Sequence, residues 1–258
     1  LVLGFLVSYV LVRGVPTLRP EMFALTYTSE NQSMLPAIIN TCTMTLFSLL
    51  VAVPFGVGSA IYLVEYAKKG SKIVSLVRVT TETLSGIPSI VYGLFGYLFF
   101  LVQLQWGYSL LAGAMTLAIM ILPLIMRTTE EALLSVPDMY REGSFGLGAG
   151  RLRTVARIVL PTAIPGILSG VILAIGRIVG ESAALLFTSG IGYSMPRGFF
   201  RQIMTSGRTL TLHLYQTARE ASTPDAMNIA FGTAAVLLIL VFLLNCLTKV
   251  VTKAVKKG

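Results

Sequence analysis

The chain of 258 residues has few charged side chains, and this scarcity indicates its class. Asp, Glu, Lys and Arg make up 12% of the sequence, about half of the roughly 25% that is usual in soluble domains. Hydrophobic residues make up 55% and are gathered into runs separated by short charged stretches. No polar stretch is long enough to form a soluble domain. The composition therefore predicts an all-α membrane protein.

The residues that carry most enzyme chemistry are scarce as well. His213 is the only histidine and has no cysteine or second histidine nearby in sequence, which argues against a metal site. Cys42 and Cys246 lie inside apolar runs, where we expect small packing residues and no disulfide. The apolar runs contain no His, no Asp and no pair of carboxylates, which disfavours an intramembrane enzyme. The chain also lacks a G-x-x-x-x-G-K-S/T loop, so any ATP must be hydrolysed by a partner.

Six apolar segments are predicted to cross the membrane. Residues 1–12 reach only roughly 18 Å as a helix, against about 30 Å of hydrocarbon, so we expect the end of a span that starts before residue 1. The other five are predicted at about 37–64, 90–105, 109–126, 166–188 and 227–247. Pro54 is expected to interrupt the second span. Residues 73–84 predict an amphipathic interfacial helix.

Positive charges indicate which loops face the cytoplasm. The net charge is +9, but the basic residues flank apolar runs and do not alternate with aromatic residues, which disfavours nucleic-acid binding. One set of loops carries thirteen Lys and Arg residues and the other carries six. Because cytoplasmic loops are enriched in these residues, we expect both termini and the loop 127–163 inside. Loops 13–36 and 189–226 are then extracytoplasmic, and within the second of these, 196–207 predicts a short helix at the membrane edge or a solvated linker.

The longest polar interval on the expected cytoplasmic side runs from Ser135 to Pro161. Its first half predicts a helix with Ser135 as the N-cap, which the glycines at 146, 148 and 150 end or bend. A second short helix is predicted over 151–159. Leu160 and Pro161 are expected to stop this helix, and Leu152 is expected to face an apolar neighbour.

The spacing within this interval is specific. Glu142 is followed six positions later by Gly148, then by Ile158 and by Leu160-Pro161, which fits E-A-A-x3-G-x9-I-x-L-P. This resembles the loop by which the membrane subunits of ABC importers dock into their ATPase. Small residues stand in place of the two usual alanines. On shape alone, a plain re-entry turn is the alternative. The resemblance implies that coupling to the ATPase rests on Glu142, Gly143, Ser144, Gly148, Ile158, Leu160 and Pro161.

A charged pair lies in the fifth predicted span. Arg177 and Glu181 are one helical turn apart, and Arg177 falls in the middle of the span, where a charge costs at least about 2.5 kcal/mol. Gly176 and Gly180 beside them would let another helix or a ligand approach closely. We expect a substrate pathway here. The alternative is an internal ion pair that fixes helix packing.

A second candidate lies at the start of the third span. Ser85 and Ser89 border the break S-G-I-P-S, where free N–H groups at a helix N-terminus and two hydroxyls would favour an anion. A simple kink between an interfacial helix and a spanning helix is the alternative.

Four stretches resemble one family, the A-type membrane subunit (PstA permease) of bacterial phosphate importers. They are YLVEYA at 62–67, SGIPSIVYGLFGY at 85–97, GRIVGESAALLFTSG at 176–190 and TLTLHLY at 209–215. Ser182 stands where this family usually has threonine and keeps the hydroxyl, so it joins the expected pathway residues. The likeness covers nearly the whole chain from about residue 37.

This resemblance implies a six-helix type I ABC importer permease with MetI-like topology, in which 1–258 forms one transmembrane domain of the bacterial inner membrane. It implies a heterodimer with a second homologous permease, two ATPase subunits, an extracytoplasmic phosphate-binding protein and no cofactor. A permease for another oxyanion, such as sulfate, molybdate or phosphonate, is the alternative. An ATP-independent carrier is the second alternative, but such a carrier would not need a loop that docks into an ATPase.

Overall fold

The computed structural model describes residues 1–28, 30–68, 70–193, 199–220 and 224–257, and all regular structure within these ranges is helical. This confirms the predicted all-α fold. Lys69 and Arg197, both counted above among the loop charges, lie outside the described residues. The helices are α1 Val2–Gly14, α2 Leu35–Ile61, α3 Lys72–Ser85, α4 Ser89–Gly96, α5 Leu110–Leu134, α6 Asp138–Gly146, α7 Arg151–Thr154, α8 Leu160–Val179, α9 Ala183–Thr188, α10 Phe199–Ile203, α11 Leu210–Arg219 and α12 Pro224–Lys257.

Within the part of the chain that the structure describes, four continuous stretches are long and apolar enough to cross a membrane: Leu35–Tyr66, Leu110–Leu134, Arg151–Val179 and Ala226–Val250. Lys72–Ser85 and Ser89–Gln103 pass the same test together as one broken span, and Val2–Thr17 is a shorter apolar helix. The number of apolar segments agrees with the sequence prediction. Several of the predicted boundaries are wrong, however, and the largest error concerns the fifth span.

Prolines do not end the helices where the sequence predicted. α2 continues through Pro54, and the helix that starts at Arg151 continues through Pro161 into α8. Membrane helices tolerate proline because local π adjustments can accommodate the missing N–H group. A π-helical turn over Val155–Val159 stands directly before Pro161, and the Thr162 hydroxyl donates to the Ile158 carbonyl at 2.7 Å. Two further π-helical stretches, Tyr62–Tyr66 and Tyr97–Gln103, extend α2 and α4.

Contacts divide the chain into two compact units. The first contains Leu1–Ser48, Pro88–Leu117 and Gly176–Cys246, and the second contains Leu49–Ile87, Ala118–Ile175 and Leu247–Gly258. In the second unit, α5 and α8 approach so closely that a Cβ at Gly166 would lie 2.6 Å from the Cβ of Ala132, and one at Gly170 would overlap the Thr128 hydroxyl. Small residues one turn apart on each helix thus make this contact possible. This packing holds the two helices on either side of the 135–161 interval together.

The two loops assigned to the outer face meet within the first unit. The buried guanidinium of Arg208 lies 3.4 Å from the ring centroid of Tyr193 and 5.5 Å from that of Tyr27. Its Nη1 donates to His213 Nδ1 at 3.1 Å, and its Nε and Nη2 donate to the Ile191 carbonyl. Tyr27 belongs to loop 13–36 and the others to loop 189–226, so the two loops contact each other through this cluster.

His213 lies on α11, a helix that the sequence analysis did not predict within loop 189–226. α10 lies within the 196–207 stretch that predicted a short helix, and residues 194–198 lie outside the described residues. The His213 ring is completely buried, and Nε2 has no hydrogen-bond partner among the described residues. Burial and then the neighbouring Arg208 charge lower the pKa of this imidazole to about 4. His213 is therefore neutral at pH 7 and accepts a hydrogen bond from Arg208.

We predict that the stability of the protein falls as the pH is lowered from about 6.5 towards 4. In this window the unfolded chain protonates His213, whose free pKa is about 6.5, and the folded chain does not. The loss should approach about 3 kcal/mol, by the size of the pKa difference. The measurement is the thermal unfolding midpoint of the purified protein in detergent across this range.

The matched control for this prediction is His213→Gln, which keeps an acceptor for Arg208 and does not titrate. Because His213 is the only histidine, the difference in pH dependence between the two proteins isolates its contribution. Equal slopes for the wild type and the variant would contradict the prediction.

Candidate functional site

The expected pathway residues of the fifth span lie at a helix break. α8 ends at Val179, the chain turns through Gly180, Glu181 and Ser182, and α9 begins at Ala183. The prediction of one continuous span over 166–188 with Arg177 in its middle is therefore wrong. The span starts at Arg151, and Arg177 lies in its last turn. The predicted boundaries of this span are wrong because Pro161 is a stop signal by local rules but does not end the helix. Both predicted ends therefore lie too far along the chain.

Glu181 is used differently from what its spacing to Arg177 suggested. Its carboxylate Oε1 accepts a hydrogen bond from the backbone N–H of Ala184 at 3.1 Å, so it caps the N-terminus of α9. Among the residues described, Arg177 forms no ion pair with Glu181 or with any other carboxylate. The two residues are not one helical turn apart on a common face, since α8 ends between them. Both side chains are partly exposed.

The turn between α8 and α9 is held by α11. The hydroxyl of Thr211 lies 3.2 Å from the carbonyl oxygen of Val179 and 3.0 Å from that of Glu181, so it can donate to either. These carbonyls belong to the end of α8 and the turn beyond it, where helical hydrogen bonding stops. Non-helical backbone among membrane helices occurs where it is buried in protein or lines a polar cavity. Thr211, which the sequence analysis missed, thus stabilises the break without restoring a continuous helix.

Ser89 is brought to the same end as this turn by the packing of α4 on α9. A Cβ at Gly93 would lie 2.8 Å from the Cα of Ala184, and one at Gly96 would lie 2.8 Å from the Thr188 methyl. Since the contacts advance together along both helices, α4 and α9 run in the same direction. Their first residues, including Ser89, therefore lie at one end, beside Glu181 and Ser182.

Gly176 and Ser85 were also named in the pathway predictions, and the structure gives each of them different surroundings. A Cβ at Gly176 would meet no atom of the described chain within 4 Å, so the close helix approach expected there is not made within this chain. Ser85 belongs to the other compact unit, where its hydroxyl donates to the Glu82 carbonyl at 2.7 Å. No group of three His, Cys, Asp or Glu side chains suited to a metal occurs among the residues that the structure describes.

The 135–161 interval forms an elbow of two helices, α6 and α7. α6 has Pro137 at its N-cap position, so the prediction of Ser135 as the cap is wrong: the Ser135 hydroxyl donates back to the Ala132 carbonyl at 2.7 Å. After α6 ends, Gly148 adopts a φ of +80°, a left-handed conformation that favours glycine. The buried hydroxyls of Ser144 and Thr154 lie 2.8 Å apart and join the two helices.

The solvent-facing surface of the elbow is apolar and unusually exposed. Glu142 is exposed and has no ion-pair partner among the described residues. Leu152 is 74% exposed, so the described residues of this chain do not supply the apolar neighbour expected for it. A shallow groove of about 370 Å³ runs along the surface. It is lined by Met139, Tyr140, Gly143, Ser144, Leu147, Ala149, Arg153, Arg157 and Ile158. Exposed apolar patches rimmed by polar groups mark interaction sites.

The sequence matches the family described as "Binding-protein-dependent transport system inner membrane component" over residues 52–257. It is 37% identical over 254 residues to the "Probable ABC transporter permease protein YqgI" of Bacillus subtilis, covering 93% of this chain and 85% of that protein. It is 36% identical over 235 residues to the "Phosphate transport system permease protein PstA 2" of Mycobacterium bovis, covering 91% and 76%.

The fold is similar to a chain of the solved inward-facing MetNI methionine ABC transporter. The TM-score is 0.64 with 22% sequence identity, and the alignment covers 96% of each chain. At this identity the similarity concerns the fold alone, and it agrees with the predicted MetI-like architecture. Because the family match spans most of the chain and the relatives match nearly all of it, the chain belongs to the inner-membrane components of binding-protein-dependent transport systems.

Proposed function

We propose that the chain is the membrane-spanning permease subunit of an ATP-driven phosphate importer. The observation that carries the proposal is the elbow, whose exposed Glu142 and apolar groove lie between two spans and leave a surface for a partner. The substrate class is supported by the relatives named as phosphate transport permeases, which match 91% of the chain at 36% identity. A permease for sulfate, molybdate or phosphonate is the alternative, and the selectivity experiment below separates phosphate from sulfate.

The chain would form half of the pathway in the bacterial inner membrane, with a second homologous permease supplying the other half. Two ATPase subunits would bind at the cytoplasmic elbows, and an extracytoplasmic phosphate-binding protein would dock on loops 13–36 and 189–226. Both termini would be cytoplasmic. The contact between the two outer loops through Arg208 supports this topology, as does the excess of Lys and Arg in the opposite loops.

Coupling would follow from the geometry of the elbow. The exposed carboxylate of Glu142 would pair with a basic residue of the ATPase, and the groove beside Ser144 and Ile158 would receive apolar side chains of the same partner. Since α5 leads into α6, and α7 continues into α8, movement of the docked ATPase would move both spans. The spans would then switch the pathway between outward-open and inward-open states.

At the break between α8 and α9, Arg177 would provide the attraction for phosphate. A guanidinium can hold an oxyanion through two hydrogen bonds, and no carboxylate of the described chain competes for it. Glu181, which can only accept hydrogen bonds when ionised, would test the substrate for a proton. Ser182 and Ser89 at the same end, and Ser85 near the start of the third span, would add hydroxyl groups along the pathway.

We predict that Gly148→Val abolishes transport-coupled ATP hydrolysis and leaves membrane insertion intact. A β-branched residue at a φ of +80° is strained by about 1–3 kcal/mol. No atom lies within 4 Å of the added Cβ, so the effect is on the bend and not on a contact. The measurements are the amount of protein in the membrane, ATPase subunit retained on the purified permease, and ATP hydrolysis stimulated by the loaded binding protein.

Gly143→Ala is the matched control for this variant. Gly143 lies inside α6, a Cβ there would also meet no atom within 4 Å, and its φ is not positive. The substitution restores the residue usual in the resembling family and should leave coupling unchanged. Wild-type coupling in Gly148→Val, or equal defects in both variants, would contradict the role of the elbow.

We predict that Glu181→Gln inserts normally and loses discrimination between phosphate and sulfate. Phosphate keeps at least one proton at neutral pH, since its second pKa is about 6 in phosphate esters, whereas sulfate has none to donate. An ionised Glu181 accepts a hydrogen bond from the protonated oxygen of phosphate and repels sulfate, which has no such donor. An amide would lose this repulsion but could still accept the Ala184 N–H bond. Uptake of both anions is measured in an assay that bypasses the binding protein.

Glu181→Ala separates this role from helix capping. It removes both the charge and the cap, so it should lower the free energy of unfolding by about 1 kcal/mol as well as selectivity. If Glu181 only caps α9, the Gln variant should retain wild-type selectivity and only the Ala variant should be impaired. That result would refute the screening role.

A further inference from the structure

Arg141 of α6 uses every hydrogen-bond donor of its guanidinium. Nε and Nη2 donate to Glu65 Oε1 at 3.1 and 2.7 Å. Nη1 donates to the Val136 carbonyl at 2.7 Å and to Asp138 Oδ1 at 3.2 Å, and Nη2 also donates to the Leu133 carbonyl at 3.0 Å. A guanidinium has five N–H donors in a fixed planar arrangement, and all five are satisfied here. Lysine cannot reproduce this pattern.

The bond to Glu65 joins segments that are far apart in sequence. Glu65 lies in the π-helical turn that ends the second span, 76 residues before Arg141. The side chains are 7% and 14% exposed, respectively, which makes this the most buried of the four ion pairs among the described residues. Removing one partner from a buried pair leaves an uncompensated charge. The pair therefore fixes α6 against the end of the second span.

The other half of the elbow contacts the next residue of the same turn. The Arg151 guanidinium lies 5.5 Å from the ring centroid of Tyr66. Because α6 and α7 are themselves joined through Ser144 and Thr154, both helices of the elbow are held to one turn of the second span. The carbonyls of Leu133 and Val136, at and just beyond the end of α5, bind the same guanidinium.

We propose that Arg141 is a positioning residue that connects the docking elbow to the second span through Glu65. This inference rests on the proposed function, since it requires an ATPase on the elbow. α5 and α8 are joined to the elbow by the chain itself, whereas the second span reaches it only through side-chain contacts. A displacement of the elbow is passed to this span because the Arg141 contacts are fully satisfied and buried. Without them, the link between the elbow and the second span is reduced to the apolar core that Ala60 and Leu63 share with Leu133, Val136 and Val159.

The test uses Arg141→Lys and Glu65→Gln in the complete complex with its ATPase subunits, reconstituted into proteoliposomes. ATPase subunit retained by the permease and inorganic phosphate transported per ATP hydrolysed are measured together. We expect wild-type retention and a fall in phosphate per ATP of about tenfold, in line with coupling networks elsewhere. The double variant should be no worse than the more impaired single variant, because both changes break one link.

The exposed pair Arg127–Glu131 on α5 provides the matched controls. Its side chains are 61% and 64% exposed, so Arg127→Lys and Glu131→Gln should leave the ratio unchanged. A wild-type ratio in the Arg141 and Glu65 variants would overturn the inference. A lower amount of assembled complex with an unchanged ratio would also overturn it, because that pattern indicates a purely structural role.

The failure of the proposed function has a different signature. A wild-type permease that retains no ATPase overturns both the proposed function and the inference. A wild type that retains ATPase but transports no phosphate overturns only the substrate assignment. In that case the ratio is measured for the anion that the wild type does transport: a fall in Arg141→Lys, with retention intact, supports the inference, and an unchanged ratio overturns it.

Discussion

In hydrocarbon, every backbone N–H and C=O group must find a partner within the protein, and this requirement shapes the rest of the molecule. It explains why all regular structure in the described chain is helical and why the helices continue through prolines. It also makes each break in a helix costly unless side chains satisfy the freed groups. At the break after Val179, Thr211 and Glu181 do so by binding carbonyls and an N–H group of the turn. Glu181, which is proposed to meet the substrate, is thus also one of the residues that stabilise the break.

The two compact units accommodate a buried arginine in different ways. On the expected outer side, Arg208 has a neutral imidazole, two aromatic rings and a carbonyl as its neighbours. On the expected inner side, Arg141 has two carboxylates and two backbone carbonyls that accept its five hydrogen bonds. In both cases the guanidinium joins segments that are distant in sequence. The outer cluster links two loops, and the inner one links the elbow to the second span.

The sequence predicted the fold class, the apolar segments and the elbow, because composition, hydropathy and glycine spacing are local signals. It did not predict where the fifth span lies, since Pro161 is an ordinary stop signal by local rules. The π turn over Val155–Val159 that accommodates this proline leaves no mark in the residue pattern. The expected placement of Arg177 and Glu181 one helical turn apart on one face failed for the same reason, because helical spacing has no meaning across a helix end. The sequence shows no sign of the link between Glu65 and Arg141, since no local signal relates residues so far apart.

The π turn between α7 and α8 has a geometric consequence for the elbow. It holds one more residue than a turn of α-helix, and one residue corresponds to a rotation of about 100° around the helix axis. The side chains of α7 are therefore rotated about the helix axis by roughly a quarter turn from where they would lie in an unbroken α-helix. The direction in which the groove, Arg153 and Arg157 face depends on the number of residues in 155–159 as much as on their identity. Substitution scanning would not detect this property, whereas deletion of a single residue would turn the docking surface away from its partner.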